Sequence, residues 1–542
     1  MTSRKKQSFI AGALTSTAGI FISKALGILY IVPFTAMATE SNMFFYSQAY
    51  TYYEILLNVC AAGFPFAIAA MVAKYANKND FKTVRLIRKL SMSLMLLTGF
   101  LAAIIFVCFS APIAMNALGS EATAGDVQKL QTAFIILSFA VILVPFLSVF
   151  RGFYQGLKEL KVYAVSQVVE QGVRVGVLLG GGAFLIYVLQ MDSIYAIYMA
   201  VLSTSIAALA AILFYFYFDR KHISDLKKAA HFQMKDSETK KDLFIEMLLF
   251  GLPYVATAFL GNSMSIVNNA FFMNAVKATP ATYEQYKLIL GIMQVQANKL
   301  TSIPQVLAIG FSAGIVPYLT VSLENKDWKE LQQNITDCLG TVLYIGMPLF
   351  FCLLVLAGPI YYVMYGGAHL KVGTEVLMWS SPIAITGTLS PICSSIMMTL
   401  RLRKKSLFYL LIGFVIKVIS FFILIDLFGY SGAITSSILT SLVVIFLNLR
   451  IIKKDYHVSY RVVGNQLLRI IVCLAGMLVG FTILNLMGLN PVYYSRFTAL
   501  ILLGMYGIAG LVIYYFISDK LKLPQSIFKT SGKEIVMRFI KK

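Results

Sequence analysis

Residues 130–150 read LQTAFIILSFAVILVPFLSVF, twenty-one positions without a charged side chain. A helix rises about 1.5 Å per residue, so this run reaches roughly 30 Å, the thickness of a bilayer's hydrocarbon core. Similar runs recur along the chain on both sides of it. The 542 residues are 58% hydrophobic and only 13% charged, with mean hydropathy +0.77. A soluble domain carries about 25% charged residues, so much of this chain faces something other than water. Alternating segments of about ten residues, the mark of a membrane β-barrel, are absent. The first apolar run is longer than a signal-peptide core and lacks a small-residue cleavage site, so it is read as a span.

The expected fold is an all-α polytopic membrane protein with about 14 transmembrane helices. They are placed near 9–36, 44–73, 90–116, 130–150, 162–190, 194–218, 243–273, 286–320, 335–364, 374–400, 406–426, 430–450, 465–488 and 497–517. With the N-terminus (Arg4, Lys5, Lys6) in the cytoplasm, inside segments hold 37 of the 46 Lys and Arg residues. Outside loops hold Lys129, Lys277, Lys287, Lys371 and Arg496, while Lys24, Arg174, Lys299 and Lys417 fall within spans. This is the positive-inside asymmetry, and it places both termini in the cytoplasm. The net charge of +22 is then topological signal rather than a nucleic-acid footprint. The basic tail 519–542 is either an amphipathic helix on the inner leaflet or a solvated segment.

A polar, basic segment, 219–242, separates six spans from eight. Pro65 and Ala69 in span 2 are echoed by Pro304 and Ala308 in span 8, six helices later. Such echoes agree with two pseudo-symmetric six-helix lobes in parallel repeat, with spans 13 and 14 added. The expected divisions are an N-lobe at 1–218, a linker at 219–242, a C-lobe at 243–452, spans 13 and 14 at 453–518, and the tail.

The spans are not uniformly apolar. Residues 294–305 read QVQANKLTSIPQ inside span 8. A charge in mid-span costs about 2.5–3.5 kcal/mol on insertion scales, so such residues face a cavity or a partner. On an ideal helix at about 100° per residue, Gln294, Asn298, Thr301, Ser302, Gln305 and Ser312 share one face, with Lys299 near its edge and Gln296 off it. Pro304 and Pro317 are expected to bend this helix. In span 1, Lys24 has Thr17 one heptad before it on the same face. Span 2 contributes Thr51, Glu54 and Asn58, with Glu54 either a counter-ion for Lys24 or a cation site. Span 7 carries a polar stripe through Asn262, Ser265 and Asn269. Glu170 and Arg174, four apart with the acid first, read as a structural ion pair. Lys417 has no evident local partner and either pairs across helices or snorkels. Two lysines from different halves suggest an aqueous, cationic cavity for an anion such as a phosphate, and hence a transporter. Six cysteines and four histidines lack metal-ligand spacing, so neither a disulfide framework nor an enzyme's metal centre is expected.

Several strings, among them YTYYEILLNVCAAGFPFAIAAMVAKYAN, RGFYQGLKELKVYAVSQVVEQGVRV and QANKLTSIPQVLAIGFSAGIVPYL, resemble the polysaccharide-transport branch of the MOP exporter superfamily. Within it they are most similar to MurJ-type lipid II flippases. The resemblance implies a MOP/MATE-like fold, two lobes around a central cationic cavity, and a groove for a lipid tail along spans 13 and 14. It implies alternating-access movement of an undecaprenyl-pyrophosphate-linked peptidoglycan precursor across a bacterial plasma membrane. It maps the family's basic positions onto Lys24 and Lys299, a second span 1 position near Tyr30, and acidic positions near Glu40 and at Asn268 or Asn269. No cofactor is implied. A coupling cation and the membrane potential are both candidate energy sources, and cell-wall synthesis or division proteins are candidate partners. The alternatives are a flippase for another lipid-linked oligosaccharide, or a cation-coupled drug exporter.

Overall fold

The structure, a computed structural model, describes residues 30–39, 41–60, 64–119, 121–157, 159–231, 239–261, 263–276, 282–305, 315, 318–319, 322–323 and 325–528. Thr17, Lys24, Glu40, Asn262, Ser312, Pro317 and the tail beyond 528 lie outside the described residues. All regular elements among the described residues are helices, and ten helices there are long and apolar enough to cross a membrane.

The described residues fall into two compact units, Met1–Gly291 and Ile292–Lys542. In the first, the helices are α1 Ile31–Ala38, α2 Met43–Cys60, α3 Phe64–Asn77, α4 Phe81–Cys108, α5 Ser110–Leu118, α6 Ala124–Gly156, α7 Leu160–Ala183, α8 Ile194–His231, α9 Lys240–Gly261, α10 Ser263–Ala275 and α11 Tyr283–Gly291. The second holds α12 at 298–305, α13 Trp328–Val355, α14 Ala357–Tyr365, α15 Leu370–Ser380, α16 Pro382–Thr399, α17 Arg403–Phe428, α18 Tyr430–Tyr456, α19 Arg461–Leu486, α20 Arg496–Lys520 and α21 Leu523–Phe528. Several long helices start at polar caps. Asp80 accepts from the Thr83 amide at 3.0 Å, Thr123 from Asp126 at 3.1 Å and Asp327 from Glu330 at 2.9 Å.

Two motifs of the sequence meet in the first unit. Gly152 and Gly156 of RGFYQG lie against Pro65 and Ala69 of α3. A Cβ on Gly156 would stand 2.7 Å from the Ala69 carbonyl oxygen, and one on Gly152 2.5 Å from that of Pro65. The glycines are there because α3 and α6 approach backbone to backbone, as small-xxx-small pairs allow in membranes. Phe150, Phe153, Ile68, Met71 and Tyr215 fill the core beside that contact. Arg88 is buried there, paired with Asp219 and stacked between Phe150 and Phe153 with its guanidinium 5.2 and 4.8 Å from the ring centroids. Tyr154 donates to the same carboxylate.

Residues 219–231, read as linker, continue α8 as helix to His231. The compact units divide at Gly291–Ile292, inside span 8, rather than at the basic segment. The cause is packing. Span 7 stays with the first unit because Glu246 takes hydrogen bonds from Lys74 and Tyr75, while the Ser91 hydroxyl reaches Met247 sulfur at 3.3 Å. The start of span 8 is held there too: Lys287 pairs with Asp126 at 3.3 Å and Glu284 at 3.0 Å, and lies over the Phe45 ring.

Spans 9 and 10 are each split into two helices. Leu356 separates α13 from α14, and Pro382 opens α16, where its missing N–H costs nothing. One core of the second unit gathers Ile335, Leu339, Ile392 and Ile396; another joins α13 to α19 and α20 through Ile470, Met477, Phe481 and Tyr514. The helices of spans 13 and 14 are thus packed on span 9.

Candidate functional site: polar clusters within the spans

In the first unit the polar cluster is built on α7. Glu170 and Arg174 stand one turn apart, and Arg174 Nη2 donates to Glu170 Oε1 at 3.0 Å. Arg151, from α6, donates to the other carboxylate oxygen. The three side chains are 17% (Arg151), 13% (Glu170) and 21% (Arg174) exposed. Two guanidiniums share one carboxylate, so the cluster carries one excess positive charge. Each guanidinium also keeps a buried Nε–H without a hydrogen-bond partner among the described residues. Tyr46, Tyr50 and Tyr53 form a stripe at helical spacing on α2. Tyr30 and Tyr46 share a hydroxyl hydrogen bond at 3.2 Å, and Tyr50 bonds Thr204 of α8. Tyr30, Tyr50 and Tyr53 all lie in electrostatic range of Arg174. Arg151 lies just beyond the span expected at 130–150; in the structure it belongs to α6, and its pairing with Glu170 is tertiary.

Other positions singled out in this unit divide by environment. Glu54 is exposed and Asn58 half-buried on α2, whereas Thr51 is buried and donates to the Ser47 carbonyl at 2.9 Å. Gln48 is fully buried, and both amide atoms are without hydrogen-bond partners among the described residues. Asn269 is buried, its Nδ2 donating to the Ser265 carbonyl at 2.9 Å and its Oδ1 unpartnered among the described residues. The stripe on span 7 therefore spends part of its polarity on its own backbone.

In the second unit, span 8 departs from an ideal helix. Residues Ile292–Ala297 form a π-helical turn, and α-helix resumes at 298–305. A π turn closes i→i+5 bonds and inserts a residue, which breaks the even angular step that placed Gln294 in register with Asn298. Asn298 is exposed, Lys299, Ser302, Gln305 and Gln294 are half-buried, and Thr301 is buried. Thr301 and Ser302 donate to the carbonyls of Asn298 and Lys299 at 3.2 and 2.7 Å. Gln296 is the buried anchor. Its Oε1 accepts from Tyr361 at 2.6 Å and its carbonyl from Tyr365 at 3.2 Å. Tyr361 in turn is packed on Gly373 so closely that a Cβ there would stand 2.1 Å from the ring carbon Cζ. Gly373→Ala is expected to cost about 1–3 kcal/mol by overpacking, read as a lower melting temperature of the purified protein.

Lys417 is fully buried between α17 and α18. Its ammonium donates to the Ala433 carbonyl at 3.1 Å and to the Ser436 and Ser437 hydroxyls at 2.6 and 2.9 Å, with the Phe421 ring centroid 4.9 Å away. Of the two sequence readings, pairing across helices is the one observed. The signal was present in SSILTS of the following helix, but hydroxyls give no charge pattern to match against.

A family model described as "Polysaccharide biosynthesis protein" matches residues 9–323. Lipid II flippase MurJ of Bacillus subtilis (strain 168) is 29% identical over 476 residues, covering 86% of this chain and 87% of that protein. A solved structure of lipid II flippase MurJ in an inward closed conformation matches 94% of this chain and 99% of its own, with TM-score 0.64 at 15% identity. An outward-facing multidrug resistance MATE family transporter of the MOP superfamily matches 82% and 96%, with TM-score 0.59 at 14% identity. The expected MOP/MATE-like fold is thus observed, and the chain belongs to the polysaccharide biosynthesis protein family.

Proposed function

We propose that this protein is a flippase that moves a lipid-linked peptidoglycan precursor, an undecaprenyl-pyrophosphate-linked headgroup, from the inner to the outer leaflet of a bacterial plasma membrane. It acts as a transporter, not an enzyme. The observation that carries the reading is the excess positive charge held inside the membrane-spanning helices at Arg151, Glu170 and Arg174. A buried cation is costly unless an anion visits it, and a diphosphate is such an anion. Lys24 and Lys299 supply further ammonium groups, and the tyrosine stripe of α2 offers hydroxyl donors to phosphate and sugar. The resemblance places a basic residue near position 30, where this chain has Tyr30. Arg174, in electrostatic range of that tyrosine, provides the missing charge from span 5.

The polyprenyl tail stays in lipid while the headgroup crosses. Rocking of two lobes about the site gives alternating access. The membrane potential, worth about 2.3 kcal/mol per charge per 100 mV, suffices to return a cationic empty state; a coupled cation would serve equally. A drug exporter fits less well, because the charges in the spans are mainly basic.

The test is complementation of a strain depleted of its own lipid II flippase. Wild type is expected to restore growth. Lys299→Ala and Lys24→Ala are expected to lower transport at least tenfold at normal membrane levels, the loss of one charged hydrogen bond worth about 1.5–3 kcal/mol. Lys299→Arg is expected to retain transport. A wild type that inserts correctly yet fails to complement points to a different lipid-linked oligosaccharide.

A further inference from the structure

A cavity of about 500 Å³ opens in the second unit between α13, α16, α18 and α19. Its walls are apolar, with Leu343, Leu389, Ile445 and Leu467 along its length, and one end carries Arg450 and Lys453. Phe446, 62% exposed on α18, stands at its rim. From Ile445 to Lys453 the helix climbs about 12 Å, so the cations cap one end of an apolar slot. The nearby carboxylate Asp455 is already taken by Lys405 at 2.6 Å, and among the described residues neither Arg450 nor Lys453 has an ion pair or hydrogen bond.

We propose that this groove is a binding site for an anionic phospholipid of the inner leaflet, with an acyl chain in the slot and its phosphate on Arg450 and Lys453. The occupant follows from the chemistry. A soluble anion has no use for the apolar walls, and a neutral lipid has none for two unpaired cations. On the orientation that the basic loops imply, this end of α18 faces the cytoplasm, the side on which basic pockets between spanning helices meet anionic headgroups. Tyr460 donates to the Leu449 carbonyl at 3.0 Å, which fixes the connection between α18 and α19 beside the charged end. None of the residues lining the groove is among those proposed to receive the transported headgroup, so the proposal assigns it to stability and regulation rather than to the transported species.

Gly464 supplies the means of closing it. It lines the groove, and a Cβ built there meets nothing within 4 Å, so a larger side chain projects into open space. The full chain, purified in detergent, would be examined by native mass spectrometry with phosphatidylglycerol and with phosphatidylcholine of matched acyl chains. Wild type is expected to retain phosphatidylglycerol at least tenfold better. Arg450→Gln with Lys453→Gln is expected to weaken retention about thirtyfold, at about 1 kcal/mol per cation. Gly464→Leu is expected to abolish retention with both charges intact, while Gly464→Ala preserves it and so reports on folding at that position. Equal retention of the two lipids, or an unchanged charge variant, overturns the proposal. So does displacement of the lipid by free glycerol phosphate as effectively as by phosphatidylglycerol, which would mean the slot is not read. Displacement by a polyprenyl phosphate at equal concentration also overturns it, assigning the groove to the transported lipid instead.

Discussion

Replacing Glu170 with Ala is expected to cost about 3 kcal/mol of stability, whereas replacing Arg174 with Met costs about 1 kcal/mol. The asymmetry comes from the two-to-one arrangement. Glu170 is the shared acceptor of Arg151 and Arg174, so its loss leaves two largely buried guanidiniums facing each other without a counter-charge. Removing one partner of a buried ion pair typically costs 3–5 kcal/mol; the residual exposure of these groups favours the lower end. Removing Arg174 leaves Glu170 paired with Arg151, so the carboxylate is still neutralised and only one interaction and some packing are lost. Thermal unfolding of the purified protein measures both. Equal losses for the two variants would show that Arg151 does not depend on Glu170. The same pair separates structure from transport. Arg174→Met, well folded yet unable to complement, marks Arg174 as part of the headgroup site rather than a brace, and restored growth marks it as a brace.

What the sequence showed follows from what is additive along a chain. Apolar length is a local sum, so the helices near 130–150, 406–426 and 430–450 appear where expected, as α6, α17 and α18. Intrahelical pairing is equally local, and Glu170 with Arg174 could be read from their spacing. Other features depend on distant residues. Arg151 reads as a loop cation until α6 is packed on α7, and Arg88 until Asp219 of α8 arrives beside it. The π turn at Ile292–Ala297 is held by Tyr361 and Tyr365, more than sixty residues away, and no periodicity in 294–305 announces it. That turn breaks the even angular step between Gln294 and Asn298, so the two do not keep the register that spacing alone assigns them. The boundary of the compact units is a further case. The polar segment 219–242 looks like a division because it is hydrophilic, but hydrophilicity does not say which neighbour a helix packs on.

Lys417 yields a prediction whose direction is opposite to intuition about buried charges. Replacing Ser436 and Ser437 together with Ala is expected to destabilise the protein by about 3 kcal/mol, while Lys417→Met is expected to be neutral to within about 1 kcal/mol or to stabilise. The ammonium is fully buried and loses two of its acceptors in the serine variant. Hydrogen bonds between neutral groups across membrane helices average only about 0.6 kcal/mol, but bonds to a charged group are worth about 1.5–3 kcal/mol each, and here the charge has no water to turn to. The serines are in the opposite position. Each hydroxyl can donate to the Ala433 carbonyl, at 2.8 Å from Ser436 and 3.1 Å from Ser437, so Lys417→Met orphans neither of them. Methionine nearly fills the space of the lysine stem, and exchanging a buried charge for an apolar group of similar volume is often neutral or favourable. The decisive measurement is the combined variant: Lys417→Met added to Ser436→Ala and Ser437→Ala should recover most of the lost melting temperature. If the serine variant melts with the wild type, or the added methionine fails to restore it, the hydroxyls are not what keeps this lysine inside the membrane.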